Sequence, residues 1–172
     1  LGWFQLYPPK NPDIRKDMIR RVLESAFETL VVTVDVPVAS RRERQTRGGI
    51  TSPPSLTPRL LSQIIIRPNW ALRMAIKGRP SMPFVASYGK NIKGLPSTEH
   101  IGYLMRTSPD RTYIKWVRDN WKGNLIIKGI LDPSDLYDLE KIGVDAIWVS
   151  NHAGRQFDAA PASIEVLPKI RK

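Results

Sequence analysis

Four short, largely apolar runs, each with a polar residue at or near its C-terminal end, limit what this chain can fold into. They are Trp3-Phe4-Gln5-Leu6-Tyr7, Leu30-Val31-Val32-Thr33-Val34-Asp35-Val36, Leu125-Ile126-Ile127-Lys128-Gly129-Ile130-Leu131 and Val144 to Ser150. Their length and their β-branched or aromatic content mark them as buried strands. Pro8-Pro9 closes the first and Pro37 the second. Stretches of helical spacing lie between them. Over Asp13 to Leu30, Ile14, Met18, Val22, Leu23 and Phe27 make one apolar stripe, and over Ile114 to Trp121, Ile114, Val117 and Trp121 make another. A helix is predicted over Pro133 to Ile142, with Asp132 as N-cap and Gly143 as stop. Another starts at Pro161 and runs to Ile170, with its proline in an early turn. Leu60 to Met74 is predicted helical with a break near Pro68; residues 39–60 read as an exposed loop and 78–112 as irregular. Alternating strands and helices predict an α/β fold with a parallel sheet covered on both faces. Four strands form an open half-structure, so the pattern reads as a piece of a larger barrel or sheet.

Composition narrows the chemistry. A length of 172 residues allows one domain with a real core. With no cysteine, disulfides and thiolate metal sites are excluded. The two histidines, His100 and His152, are far apart in sequence, and no metal site is expected. No phosphate-binding glycine motif occurs. No apolar run reaches the roughly 18–20 residues of a membrane-spanning helix. The opening residues lack the basic lead and cleavage site of a signal peptide and read as a strand entered directly. The net charge of +11 favours anionic partners. Part of it is concentrated in Arg41, Arg42, Arg44 and Arg47, which reads either as a solvated loop or as a lipid- or ligand-facing one. Charge alone supports nucleic-acid binding; without an aromatic-interleaved pattern, none is expected.

Each predicted strand delivers polar residues near its C-terminal end: Gln5 and Tyr7, Thr33 and Asp35, Lys128, then Ser150, Asn151 and His152. Any one of these reads more simply as a structural hydrogen bond. Four strands in succession point to a polar site over the strand ends. A lysine within Ile-Ile-Lys-Gly-Ile-Leu is costly to bury unless it meets an anion or a polar cofactor. His152 can act as a general base, with Asp35 available to orient it. Arg155 can hold a carboxylate through two parallel hydrogen bonds, and Asp158 can cap the loop or hold an arginine. Together they suggest chemistry on a small organic acid.

These residues resemble the FMN-dependent α-hydroxy acid dehydrogenases and oxidases. The likeness rests on Trp3-Phe4-Gln5-Leu6-Tyr7, on Thr33-Val34-Asp35-Val36-Pro37 followed by Arg42, on Ile127-Lys128-Gly129-Ile130-Leu131, and on Ser150-Asn151-His152-x-Gly154-Arg155-Gln156. It implies a (β/α)8 TIM barrel of which residues 1–172 supply strands three to six, with residues 39–112 as a long insertion. It implies FMN over the strand ends, contacted by Gln5, Thr33, Lys128 and Ser150. Tyr7, Arg42 and Arg155 would bind substrate, His152 would be the base, and Asp35 would pair with its ring. The implied reaction is oxidation of an L-2-hydroxy acid, with L-lactate as the expected substrate, to a 2-oxo acid. Electrons then pass to a quinone, a cytochrome or oxygen. A homo-oligomer in the cytoplasm is expected. Arg67-Pro68-Asn69-Trp70 and Gly78-Arg79-Pro80 look more like the membrane-associated members, so a peripheral place on the inner face of an anionic membrane is one reading of the insertion; a packed loop helix is the other. Two departures stand out: Ala153 and Ser40 replace usual glycines. The alternative is a catalytically inactive fragment or degenerate relative acting only as an interaction module.

Overall fold

The computed structural model describes residues 2–37, 44, 47–48, 57–78, 83–89 and 107–171. These fall into two compact units, one within residues 1–41 and 104–172 and one within 42–103. The first unit holds four strands, β1 (Trp3–Leu6), β2 (Thr29–Thr33), β3 (Asn124–Ile130) and β4 (Ala146–Val149). Its helices are α1 (Pro12–Glu24), α5 (Arg111–Asn120), α6 (Asp135–Ile142) and α7 (Ser163–Ile170). The second holds α2 (Pro58–Ile65), α3 (Pro68–Lys77) and α4 (Pro83–Gly89).

The four strands form one parallel sheet in the order β1-β2-β3-β4. The register pairs Leu6 with Val32, Val32 with Ile127, and Ile127 with Ile147. Paired residues share a face, so an apolar row runs across the sheet. Leu6, Leu30, Val32, Leu125 and Ile127 are fully buried. Helices α1 and α5 add Ile14, Met18, Ile19, Val22, Ile114 and Val117 to this core. The opposite face carries Val31, Ile126 and Ala146 in one row and Thr33, Lys128 and Trp148 in the next. Polar residues are thus gathered toward the C-terminal ends of the strands, as the sequence predicts.

Local chemistry sets the boundaries. Asn11 caps α1, its side-chain oxygen accepting from the N–H groups of Asp13 at 2.8 Å and Ile14 at 3.4 Å, and Pro12 stands at the first turn. The helix ends at Glu24, short of the predicted Leu30, because Ala26 adopts φ +54° and turns the chain into β2. Strand β2 stops at Thr33, so Asp35 lies just beyond it; the predicted strand ran on to Val36. Asp132 is not the cap of α6. Its carboxylate accepts from the Ser134 N–H at 2.9 Å, a turn that leads into the helix, and Ser134 is the N-cap. Gly143 stops α6 in the left-handed conformation, as expected. The predicted break at Pro68 separates α2 from α3. Helix α4 lies where irregular structure was expected. Most of the predicted loop 39–60 lies outside the described residues, and its last residues, 58–60, instead open α2.

At the N-terminal end of the sheet, Arg118 donates to the carbonyls of Trp121, Gly123 and Gly143 and to Asp145. Asp145 in turn accepts from the Leu125 N–H at 2.7 Å. This ties α5 to the starts of β3 and β4 and leaves the C-terminal ends of the strands free for the polar groups.

Leu30 lies between Phe4 and Leu125, next to the apolar row on the same face of the sheet, and is fully buried. Leu30→Ala should cost about 2–5 kcal/mol, through lost transfer energy and an unfilled cavity. Denaturant titration of the two proteins measures this; an unchanged midpoint would place Leu30 outside the core.

Candidate active site

Four of the sequence-predicted residues meet in one hydrogen-bonded network at the C-terminal ends of β2, β3 and β4. Its centre is the Asp35 carboxylate, whose side chain is only 8% exposed. One carboxylate oxygen, Oδ2, accepts from Lys128 Nζ and from the Ser150 hydroxyl, each at 2.9 Å. The other, Oδ1, lies 3.0 Å from His152 Nδ1. Lys128 Nζ also donates to Ser150 Oγ at 2.9 Å, and the His152 backbone N–H donates to that same oxygen at 3.0 Å.

The backbone explains why these groups converge. The Val34 N–H donates to the Lys128 carbonyl at 2.9 Å, which extends the pairing of β2 with β3 past the strand end and sets Asp35 beside β3. Gly129 then makes room. It adopts φ +115° where the pairing of β3 with β4 slips by one residue. A Cβ at this position would stand 2.5 Å from Asp35 Cβ and 2.8 Å from Asp35 Cγ and N. Only glycine fits that backbone angle and that clearance. The sequence reading did not single out Gly129. The available signal was an isolated glycine inside an otherwise apolar strand, which marks a bulge or a close backbone approach.

After β4 the chain coils left-handed. His152, Ala153 and Gly154 have φ of +55°, +57° and +66°. Non-glycine residues adopt this region at a cost of roughly 1–2 kcal/mol each. Ala153 therefore occupies a position that suits glycine and carries a modest strain. Hydrogen bonds hold the turn: Gly154 N–H to the Asn151 carbonyl, Arg155 N–H to the His152 carbonyl, and Asn151 Nδ2 to the Pro161 carbonyl at 3.1 Å.

The electrostatics assign the protons. Burial pushes the Asp35 carboxyl up, but hydrogen bonds from Lys128 and Ser150, the Lys128 charge and the contact with His152 outweigh it. They hold Asp35 below the usual carboxylate range. An ionised carboxylate only accepts, so His152 Nδ1 carries a proton. When the ring is neutral, Nε2 then presents a lone pair. The arrangement is a base whose orientation is fixed from behind.

The other predicted residues are placed differently. Gln5 Nε2 donates to Thr33 Oγ1 at 2.8 Å, a second polar pair on the same face of the sheet. Tyr7, just past β1, and Arg155 are exposed. Among the described residues, no hydrogen bond or ion pair joins either to the Asp35 network. Asp158 is exposed as well. Arg42 lies outside the described residues, as does Ser40. Among the described residues there is no cluster of metal-ligating side chains.

Comparison with known proteins gives this geometry a context. The family model for FMN-dependent dehydrogenases matches residues 1–172. An L-lactate dehydrogenase of Bartonella quintana is 37% identical over 98% of the chain and 44% of its own length. One from Stenotrophomonas maltophilia is 38% identical, over 98% and 45%. Among solved structures, a monotopic membrane protein, (S)-mandelate dehydrogenase, superposes with a TM-score of 0.85 at 30% identity, over 98% of this chain and 44% of that one. A mandelate oxidase with (S)-4-hydroxymandelic acid gives 0.69 at 27% identity, over 98% and 42%. The chain thus spans less than half the length of these relatives.

The lowered Asp35 pKa has a consequence for stability. A carboxyl held below its unfolded value of roughly 3.9 stabilises the fold above that pH and loses this contribution as pH falls through the folded value. The stability gap between the protein and Asp35→Asn should therefore be widest near neutrality and shrink below about pH 4. Denaturant midpoints across pH measure it; a gap independent of pH would contradict the ionised, cation-paired Asp35.

Proposed function

Since the chain belongs to the FMN-dependent dehydrogenase family, we propose that residues 1–172 carry the acid–base part of a site that oxidises an L-2-hydroxy acid, L-lactate above all, to its 2-oxo acid. The observation that carries this reading is the Asp35–His152 pair, with Nε2 without a hydrogen-bond partner among the described residues and Lys128 on the far side of the same carboxylate. The L-lactate dehydrogenase relatives support lactate as the substrate. The mandelate-named structural neighbours keep an aromatic hydroxy acid as the competitor.

The donor set suits a flavin ring edge, where hydrogen-bond acceptors flank an N–H. Lys128 Nζ has three N–H bonds and gives two of them to Asp35 and Ser150, so one remains. With Gln5 Nε2 engaged by Thr33, the Gln5 side-chain oxygen is an acceptor and the Thr33 hydroxyl proton a donor. Gln5, Thr33, Lys128 and Ser150 would hold the ring. FMN, when bound, supplies a two-electron acceptor. His152 Nε2 takes a proton from the substrate, either at the α-carbon or at the hydroxyl. Asp35 stays ionised and faces the resulting imidazolium, which lowers the cost of that charge. Lys128 brings positive charge to where the electrons arrive. Arg155, with Tyr7 and Arg42, would bind the substrate carboxylate.

The experiment uses the flavin-loaded full-length protein with lactate, glycolate and mandelate. Turnover to the 2-oxo acid, highest for lactate, is expected. His152→Gln should lose on the order of 100-fold or more, the contribution of a positioned general base. No turnover on any of the three, or full activity of His152→Gln, would sink the proposal.

A membrane-surface role for α2 and α3 belongs to the same reading. The two helices pack on one another. They expose Ile65, Ile66, Trp70, Leu72 and Ile76, all more than half exposed, with Leu61 close behind. Residues 57–78 contain Arg59, Arg67, Arg73 and Lys77 and no acidic residue. An exposed apolar surface edged only by positive charge suits an anionic lipid interface. The solved (S)-mandelate dehydrogenase is described as monotopic. No described helix is long and apolar enough to cross a membrane. Full-length protein should sediment with vesicles containing anionic lipid, less so at high salt, and Ile65→Ser/Ile66→Ser/Ile76→Ser should stay in the supernatant. Equal sedimentation of this variant would place the membrane contact elsewhere.

A further inference from the structure

We propose that Asn151 is a positioning residue for Arg155. Its side-chain amide ties together the ends of the loop that carries the arginine, and so sets the affinity for the substrate carboxylate; this rests on the reading above of Arg155 as the carboxylate's ligand. Asn151 Nδ2 donates to the Pro161 carbonyl at 3.1 Å, ten residues along the chain. Among the described residues it is the only hydrogen bond that joins the two ends of this loop. The backbone bonds inside the loop are short-range: Gly154 N–H to the Asn151 carbonyl, Arg155 N–H to the His152 carbonyl, and Ala160 N–H to the Phe157 carbonyl. Arg155 is exposed, and its side chain makes no hydrogen bond or ion pair with another described residue.

The loop has little of its own to hold this shape. His152 and Ala153 take φ of +55° and +57°, a region that disfavours any side chain. The amide oxygen and nitrogen of Gln156, the residue after Arg155, are both buried without a hydrogen-bond partner among the described residues, which opposes the conformation further. A loop with these opposing terms relaxes once its ends are released. The two functional side chains on it then respond differently. His152 is held from outside the loop: Asp35 Oδ1 lies 3.0 Å from its ring Nδ1, and Ser150 Oγ accepts from its backbone N–H at 3.0 Å. Arg155 has no such hold, so the path of the backbone alone decides where its guanidinium stands. Loss of the Asn151 bond therefore displaces the carboxylate ligand and leaves the base in place. The bond is exposed, so its loss costs the whole fold little.

The test uses the flavin-loaded full-length protein as wild type, Asn151→Ala, Asn151→Asp, Arg155→Met and Asn151→Ala/Arg155→Met. L-lactate is the substrate, and pyruvate, the product, serves as a second carboxylate. In Asn151→Ala, the KM for lactate and the Kd for pyruvate should rise about tenfold, the size of one hydrogen bond to a charged group. The rate of flavin reduction at saturating lactate should stay within about threefold of wild type, the mark of lost binding with the chemistry kept. Asn151→Asp should match Asn151→Ala, because an ionised carboxylate offers the Pro161 carbonyl no proton; nearly the same shape as asparagine, it also serves if Asn151→Ala does not fold. With Arg155→Met already in place, Asn151→Ala should cause no further loss of affinity. Wild-type affinity in both Asn151 variants would overturn the proposal. So would an equal loss with and without Arg155, or a fall in the saturated rate at unchanged affinity. Hydrogen exchange in the flavin-free protein reads the tether by itself: the Gly154 and Arg155 amides should exchange about tenfold faster in Asn151→Ala. Unchanged exchange would sink the proposal whatever the enzyme oxidises. Faster exchange and weaker pyruvate binding, with no hydroxy acid oxidised, would uphold it while the proposed function falls.

Discussion

The Asp35 carboxylate is the constraint on which the rest of the site depends. A charge at this depth has to be paired, and Asp35 is paired on both oxygens, with Lys128 and Ser150 on one and His152 on the other. Two groups that bear positive charge when protonated are thereby held on opposite sides of one anion. Lys128 comes from within β3, Asp35 from just beyond β2, and Ser150 and His152 from the end of β4. The parallel register brings these three strand ends to the same level. Without the sheet the four groups would be scattered over more than a hundred residues of chain; without Asp35, Lys128 would lose its anion and the His152 ring its acceptor.

Backbone irregularities do the fine placement. Gly129 removes the one Cβ that would collide with Asp35, and the slip in pairing at that point lets β3 carry Lys128 and Ile130 without pushing Asp35 aside. The left-handed turn from His152 to Gly154 works from the other side. It shortens the chain just after β4 and brings the imidazole back over the strand ends. Ala153 tolerates that turn at the modest cost of a methyl group in the left-handed region, so its presence is compatible with a formed site. Strained backbone gathered around a polar cluster is the pattern expected where function, and not packing, has set the geometry.

Much of the scaffold was legible in the sequence, because burial writes a periodic signal. The apolar runs at 30–36 and 125–131 gave β2 and β3, and the stripe Ile14, Met18 and Val22 gave α1. Boundaries were less legible, since they depend on single turns: Ala26 ends α1 early, and Asp132 makes a turn where a cap was expected. The pairing of Asp35 with His152 was foreseen from residue types. The pairing of Lys128 and Ser150 with that same carboxylate was not, because hydrogen bonds across 93 and 115 residues leave no local trace. Gly129 was visible as a letter, but its meaning depends on a neighbour from another strand.

In these residues one carboxylate thus holds both an imidazole and an ammonium group. The most direct test is a crystal structure of the flavin-loaded full-length protein. Lys128 Nζ is predicted to remain within about 3.2 Å of Asp35 while its remaining N–H meets the flavin, with His152 Nδ1 still on the other carboxylate oxygen. A structure in which Lys128 has left Asp35 for the flavin, or in which His152 has turned away from it, would contradict the account.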